Sequence, residues 1–195
     1  MNIQTPVPTV YGSWQEKFGE IWSRVLERLD GAHAGVIEEV RLPKTHPVDL
    51  PTVFLKKDGS LEVLRFLRDE CGFSFLTDYT ATDESSGEST GETSEDKRFH
   101  LVIHLMNPAD KARLRLKIRI GEKESMPTLI DLWPGANWAE REIFDMFGIL
   151  FEGHPDLRRI LMDVRWEGHP LRKDYPLRGY QVFLTPEPID PELFK

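Results

Sequence analysis

Apolar side chains recur along the opening part of the chain at a helical spacing. Trp14, Phe18, Ile21, Trp22, Val25, Leu26 and Leu29 fall on one stripe, which predicts an amphipathic helix over about 14–29. Ser13 and Glu16 read as a capping box and Gly31 as the stop. Val36–Arg41 and Val53–Lys57 read as strands, separated by a stretch punctuated by Pro43, Pro47 and Pro51. After the Lys57-Asp58-Gly59 turn, Leu61, Leu64, Phe66, Leu67 and Cys71 predict a second helix with Ser60 as its cap. Phe73–Thr82 is aromatic and β-branched and reads as a strand.

Two further segments predict a hairpin. Arg98–Met106 is strand-like, Asn107-Pro108-Ala109-Asp110 is a turn, and Lys111–Ile120 alternates strictly. Leu114, Leu116, Ile118 and Ile120 take one face; Arg113, Arg115, Lys117 and Arg119 take the other. From Pro127 the style changes. Trp133-Pro134-Gly135 breaks the chain, a short helix is expected over Asn137–Phe147 up to Gly148, and the remainder is polar, aromatic and Pro-rich. The order predicts an α+β fold, a mostly antiparallel sheet with helices on one face, followed by a short helix and an extended Pro-rich C-terminal tail. The expected divisions are a scaffold domain over 1–131, a signature helix and docking segment over 132–165, and a tail over 166–195 that lies along something else.

Composition narrows the function. The 195 residues hold 25 basic and 33 acidic side chains, a net charge of −8, which argues against nucleic acid or anionic lipid held by bulk charge. The basic face of 113–119 has no interleaved aromatic residues to stack bases, so it reads as the polar or partner-facing side of a hairpin. A single cysteine supplies neither an internal disulfide nor the thiolates of an iron–sulfur cluster or structural zinc site. That fits a reducing compartment, with Cys71 as a buried, inert thiol. The first residues predict no secretory leader, and the chain has no apolar run long enough for a membrane span. The stretch 83–96 carries Asp83, Glu84, Glu88, Glu92, Glu95 and Asp96 with no basic residue, and reads as a solvated loop. His100 and His104 resemble a metal pair, but strand geometry sets them about 13 Å apart, too far to share an ion.

The densest polar constellation runs from Asn137 to Arg159. Asn137 is a candidate helix cap with Glu140 reaching back to it, and Arg141 and Asp145 are an i, i+4 pair. Arg141, Glu142 and Asp145 project to one side. Glu140 projects into the apolar arc, where a carboxylate must be paired or shifted in pKa; Arg158, Arg159 and Arg172 are the candidate partners. Two readings stand. One is an acid–base site of Glu140, Glu142 and Asp145 with His154. The other is a network of ion pairs that fixes how the tail and a partner sit. No nucleophile signature, phosphate loop or metal set supports the first, so docking carries more weight.

The run Asn137-Trp138-Ala139-Glu140-Arg141-Glu142-Ile143-Phe144-Asp145-Met146-Phe147-Gly148-Ile149, continued by Gly153-His154-Pro155-Asp156-Leu157-Arg158-Arg159-Ile160-Leu161 and by Trp166-Glu167-Gly168-His169-Pro170-Leu171-Arg172-Lys173-Asp174-Tyr175-Pro176-Leu177, resembles the signature of the NADH-quinone oxidoreductase C-subunit family. This family belongs to the hydrophilic arm of respiratory complex I. The resemblance spans about 132–179 and is weaker over 1–131. It implies a non-catalytic structural component that binds no flavin, metal or cluster, within a complex that uses FMN, iron–sulfur clusters and quinone and couples electron transfer from NADH to proton translocation. It implies docking on the D, B and I subunits, and a peripheral place on the cytoplasmic side of the cell membrane. The partner-docking residues are then Glu140, Arg141, Glu142, Asp145, His154, Pro155, Arg158, Arg159, Arg172, Lys173 and Asp174. The same signature occurs in scaffold proteins of membrane-bound hydrogenases, formate hydrogenlyases and ferredoxin-linked quinone reductases, so these remain the alternative.

Overall fold

The strict alternation of Arg113–Ile120 produces the centre of the sheet. In the computed structural model, which describes residues 13–41, 50–85 and 98–180 (backbone alone at 13–18), the elements are α1 (Ser13–His33), β1 (Ile37–Arg41), β2 (Thr52–Leu55), α2 (Ser60–Asp69), β3 (Phe75–Asp83), β4 (Phe99–Met106), β5 (Arg113–Ile120), β6 (Ser125–Pro127), α3 (Ala136–Phe147) and β7 (Leu150–Glu152). Five strands pair in the order β1-β2-β5-β4-β3; β6 and β7 form a separate parallel pair. Every pairing in the large sheet is antiparallel except β2 with β5. The α+β class holds.

Side-chain parity separates the faces. Tyr79, Ala81, Leu101, Ile103, Leu105, Leu114, Leu116 and Ile118 share one core with Leu26 and Leu29 of α1, Val63, Leu64 and Leu67 of α2, and Ile143 and Phe147 of α3. All three described helices therefore cover one face. Phe54 lies on the other face and is 2% exposed all the same. The guanidinium groups of Arg41 and Arg119 lie 4.5 and 5.0 Å from its ring centre, Lys117 Nζ lies 5.9 Å away, and His100 meets the ring edge-on. Three cationic side chains thus shield one aromatic ring on the basic face read from the sequence.

Several local expectations are corrected. Helix α1 runs through Gly31 to His33, since one glycine costs only about 1 kcal/mol and tertiary packing overrides it. The side chains of Ser13 and Glu16, and of Trp14 and Phe18, lie outside the described residues, as do Pro43 and Pro47, the acidic residues from Glu88 to Asp96, and 181–195 of the tail. Ser60 does not cap α2. Gly59, at φ 87°, is the cap residue, and the Ser60 hydroxyl donates to Lys57 O at 2.7 Å. Cys71 is half-buried rather than buried, and desolvation pushes its thiol above the ordinary value. Asp83 is not a solvated loop residue: it ends β3 at 7% exposure. His100 and His104 stand on the polar face, beside Glu84 and Asp78 respectively.

Candidate functional site

Helix α3 carries the acids, and the chain after it folds back to meet them. Gly135, not Asn137, precedes the helix, and Glu140 does not turn back to its start. Glu140 is fully buried. Its Oε1 accepts from the Leu129 amide at 2.7 Å and its Oε2 from the Thr128 hydroxyl at 2.6 Å. None of Arg158, Arg159 and Arg172 supplies the partner expected for it: two neutral donors satisfy the oxygens. Burial pushes its carboxyl above the ordinary value, against the pull of those two donors. Tyr79 is buried near it, and desolvation, reinforced by the Glu140 charge, lifts the phenol well above its usual range.

Asp145 does not pair with Arg141, and it does not face outward. The chain at 159–162 covers it completely. Asp145 Oδ2 accepts from the amides of Ile160, Leu161 and Met162 at 3.0, 2.8 and 2.8 Å, and Oδ1 accepts from Arg159 Nη1 at 2.6 Å. Burial alone raises its carboxyl. The Met162 and Leu161 amides, the Arg159 guanidinium and the Ile160 amide outweigh burial and hold it below the ordinary value. Arg141 instead reaches the carbonyls of Arg158 and Arg159 at 3.1 and 3.2 Å. Arginines 141 and 159 thereby pin the returning arm to the helix from both sides.

A second cluster closes the end of α3. Gly148 stops the helix at φ 78°. A Cβ there would lie 2.6 Å from the His169 ring and 2.7 Å from the Arg172 guanidinium, so the close approach itself requires glycine. His169 Nδ1 lies 3.0 Å from Asp145 O, and because a carbonyl only accepts, that nitrogen carries the proton. Leu171 N donates to Met146 O at 3.1 Å and Arg172 Nε to Phe147 O at 2.6 Å. The last carbonyls of the helix are satisfied by the arm.

Arg172 also pairs with Glu122 at 3.0 Å, and Glu122 lies 3.2 Å from Arg98. Arg98 donates to Asp83 Oδ2 at 2.8 Å and to Asp174 Oδ1 at 2.6 Å, and Lys173 N donates to Asp83 Oδ2 at 2.9 Å. Burial opposes ionisation of Asp83, but Arg98 and the Lys173 and Ser85 amides hold its carboxyl far below the ordinary range. The stretch from His169 to Asp174 is thus tied to β3, β4 and α3, which corrects the expectation that it lies wholly on something else. Sequence reasoning missed Asp83, Arg98, Glu122, Thr128 and His169. They are far apart in the chain, and no spacing signals that they converge.

The other sequence candidates sit further out. His154 Nδ1 accepts from Asp156 N at 3.0 Å, so Nε2 donates to Asn137 O at 3.1 Å. Pro155 is exposed beside it. Arg158 pairs with Asp156 in solvent at 2.6 Å. Glu142 and Lys173 have exposed side chains. No three His, Cys, Asp or Glu side chains converge into a metal set among the described residues.

The fold has counterparts among solved structures. The fold matches a chain of the membrane-bound sulfane sulfur reductase, an archaeal respiratory membrane complex, with TM-score 0.63 and 27% identity over 83% of this chain and 86% of that one. It also matches the trypsin-resistant fragment (1–134) of Nqo5, with TM-score 0.57 and 31% identity over 70% of this chain and 99% of the fragment. Residues 53–181 match the family described as respiratory-chain NADH dehydrogenase, 30 Kd subunit, and the chain belongs to that family. It is 45% identical over 131 residues to the C subunit of NADH-quinone oxidoreductase from Rhodobacter capsulatus, covering 66% of this chain and 62% of that relative's length. It is 43% identical over 158 residues to the C subunit of the same enzyme from Trichlorobacter lovleyi, covering 80% of this chain and 91% of that protein.

Proposed function

We propose that this chain is a non-catalytic structural subunit of a proton-translocating NADH:quinone oxidoreductase. In this reading 1–131 is the scaffold, and 132–165 with the 166–195 tail presents the surface on which the quinone-site D subunit and the cluster-bearing B and I subunits dock. The observation that carries it is the contrast between charge and apolar exposure. Glu140, Asp145, Asp83 and Arg98 are satisfied inside the chain. Seven of the eight exposed large apolar side chains among the described residues lie between 138 and 180, from Trp138 to Tyr180. Such a concentration marks a surface that a partner covers. Of the eleven docking candidates, Glu140, Arg141, Asp145, His154, Arg159 and Arg172 would shape the surface from beneath, and Glu142, Pro155, Arg158, Lys173 and Asp174 would lie on it. No helix among the described residues is long and apolar enough to cross a membrane. The partners would hold the chain at the cytoplasmic side of the cell membrane.

Affinity purification of the tagged chain from its own cells, followed by mass spectrometry, tests this. The D, B and I subunits should co-purify. Recovery of the chain alone, or turnover of a substrate by the purified chain without partners, would refute it. The likeness to the archaeal complex favours a second reading, a scaffold in a related redox complex. An NADH-binding flavoprotein among the co-purified proteins selects the first reading, a hydrogenase or ferredoxin-linked protein the second.

A further inference from the structure

Helices α1, α2 and α3 all lie on one face of the large sheet, and cross-strand register shows what the strands present on the other. Residues opposite each other in neighbouring strands point to the same side. Phe54 stands opposite Lys117, Lys117 opposite Val102 and Val102 opposite Thr80; Arg113 stands opposite Met106 and Met106 opposite Phe75. The central strand β5 therefore sets Arg113, Arg115, Lys117 and Arg119 in a row, about 6.8 Å apart, between buried leucines and isoleucines that face the core. The carboxylates stand on the flanking strands. Glu38 pairs with Arg119 at 2.8 Å and Glu39 with Arg41 at 2.6 Å. Asp78 lies 3.6 Å from His104 and Glu84 lies 3.4 Å from His100.

Two of the four β5 cations are left over. Neither Arg113 nor Lys117 has a carboxylate within 4 Å among the described residues. They lie about 13 Å apart along one strand, a local exception in a chain whose net charge is −8. The row also ends in an apolar corner. Phe75, 51% exposed, is the single large exposed apolar side chain among the described residues that lies outside 138–180. It stands beside half-buried Met106, and Met106 beside exposed Arg113. Apolar area in water and uncompensated positive charge thus adjoin on the face that no described helix covers.

We propose that this face is a second docking surface, on the opposite side of the sheet from α3, and that it takes an acidic segment of a partner polypeptide. An apolar side chain of that segment packs on Phe75 and Met106, and its carboxylates pair with Arg113 and Lys117 along β5. The guanidinium of Arg113 offers a planar fork that a carboxylate meets with two hydrogen bonds. The rims of Glu38 and Glu39 on one side, and Asp78 and Glu84 on the other, repel an acidic guest that strays from the central strand, which fixes its course. The inference rests on the docking role proposed above and adds a second place and a chemistry to it: the chain would bridge two neighbours, one on each side of its sheet.

Carbodiimide cross-linking of the complex purified from cells, read by mass spectrometry, tests it. The Lys117 amine should join an aspartate or glutamate of another subunit. Arg113→Glu and Phe75→Ala should each weaken recovery of that subunit about 10-fold, with the melting temperature of the full chain nearly unchanged, because both side chains reach solvent. Lys117→Met, which keeps a side chain over Phe54, should weaken recovery by a similar factor. If the complex holds its partners and either the Lys117 link is missing or the three variants assemble like the parent, the cationic face is wrong and the docking role stands. If no partners co-purify, both fall. A link from Lys117 to a carboxylate within 86–97 of the same chain, or to a second copy in the isolated protein, would mean that this chain fills the face itself, and would overturn the assignment.

Discussion

Arg159 Nη1 lies 2.6 Å from Asp145 Oδ1, and the three residues that follow Arg159 in the chain give their amides to the other oxygen of the same carboxylate. One buried side chain thus anchors a whole turn of the arm. Asp145→Asn leaves a neutral amide facing three N–H groups and an arginine. It should cost about 3–5 kcal/mol in urea unfolding of the purified chain. Arg158→Ala, which breaks a solvent-exposed pair, should leave that free energy nearly unchanged. Equal effects of the two substitutions would show that the Asp145 pocket is not closed in solution.

Arg98 joins β4 to Asp83 of β3 and to Asp174 of the arm. Arg98→Met would strand the Asp83 carboxylate, which is 1% exposed. A loss of about 3–5 kcal/mol is expected, partly restored when Asp83→Asn is added. A loss no larger than that of an exposed pair would mean that water reaches Asp83.

Glycines 135 and 148 flank α3 and should respond oppositely to alanine. At Gly148 the φ of 78° and the nearby His169 and Arg172 side chains oppose a Cβ, and Gly148→Ala should destabilise by about 1–3 kcal/mol. At Gly135 φ is −63° and nothing lies within 4 Å of a Cβ, so Gly135→Ala should be neutral or stabilise by up to about 1 kcal/mol. Matching thermal melts for both variants would contradict the close packing of the arm on the helix end.

Stability should fall in two steps on acidification. Burial holds His169, His100 and His104 below the ordinary histidine value, so each binds a proton more weakly folded than unfolded. Their contribution is complete above the unfolded value near 6.5 and is lost as pH drops through the folded values. Asp145, Asp83 and Asp174 are held low and lose their contribution only below about pH 4. Glu140, held high, acts in the opposite sense, so protonating it in the acid limb offsets part of that loss. Urea unfolding from pH 8 to 3 should resolve both limbs, and His169→Gln should shrink the first. A first limb of unchanged size would show that His169 is not buried in its neutral form.

Removing the unpaired hydroxyl in Tyr79→Phe should leave the isolated chain as stable or up to about 1 kcal/mol more stable. A clear loss in thermal unfolding would mean that the hydroxyl has a partner within the chain.

Local order was legible wherever periodicity was strong. The alternation of 113–120 marked β5 and its two faces, and the apolar stripe of 14–29 marked α1. Strands β6 and β7, three residues each and one ending in proline, are too short to show a period and were not foreseen. The polar run 137–159 pointed to the right region. Its partnerships were misread, because helical spacing places Asp145 near Arg141 and says nothing of an arm returning from 159–162.

By itself, the sequence determined the α+β class, the hairpin of β4 and β5, the position of the acid-bearing helix and the family resemblance, because these depend on neighbours within a few residues or on a contiguous signature. Tertiary structure alone decided that Glu140 is satisfied by Thr128 and Leu129, that Asp83 is buried under Arg98, that β2 lies parallel to β5, and that β3 ends the sheet. These depend on which distant segments share a small volume, and local pattern does not encode that choice.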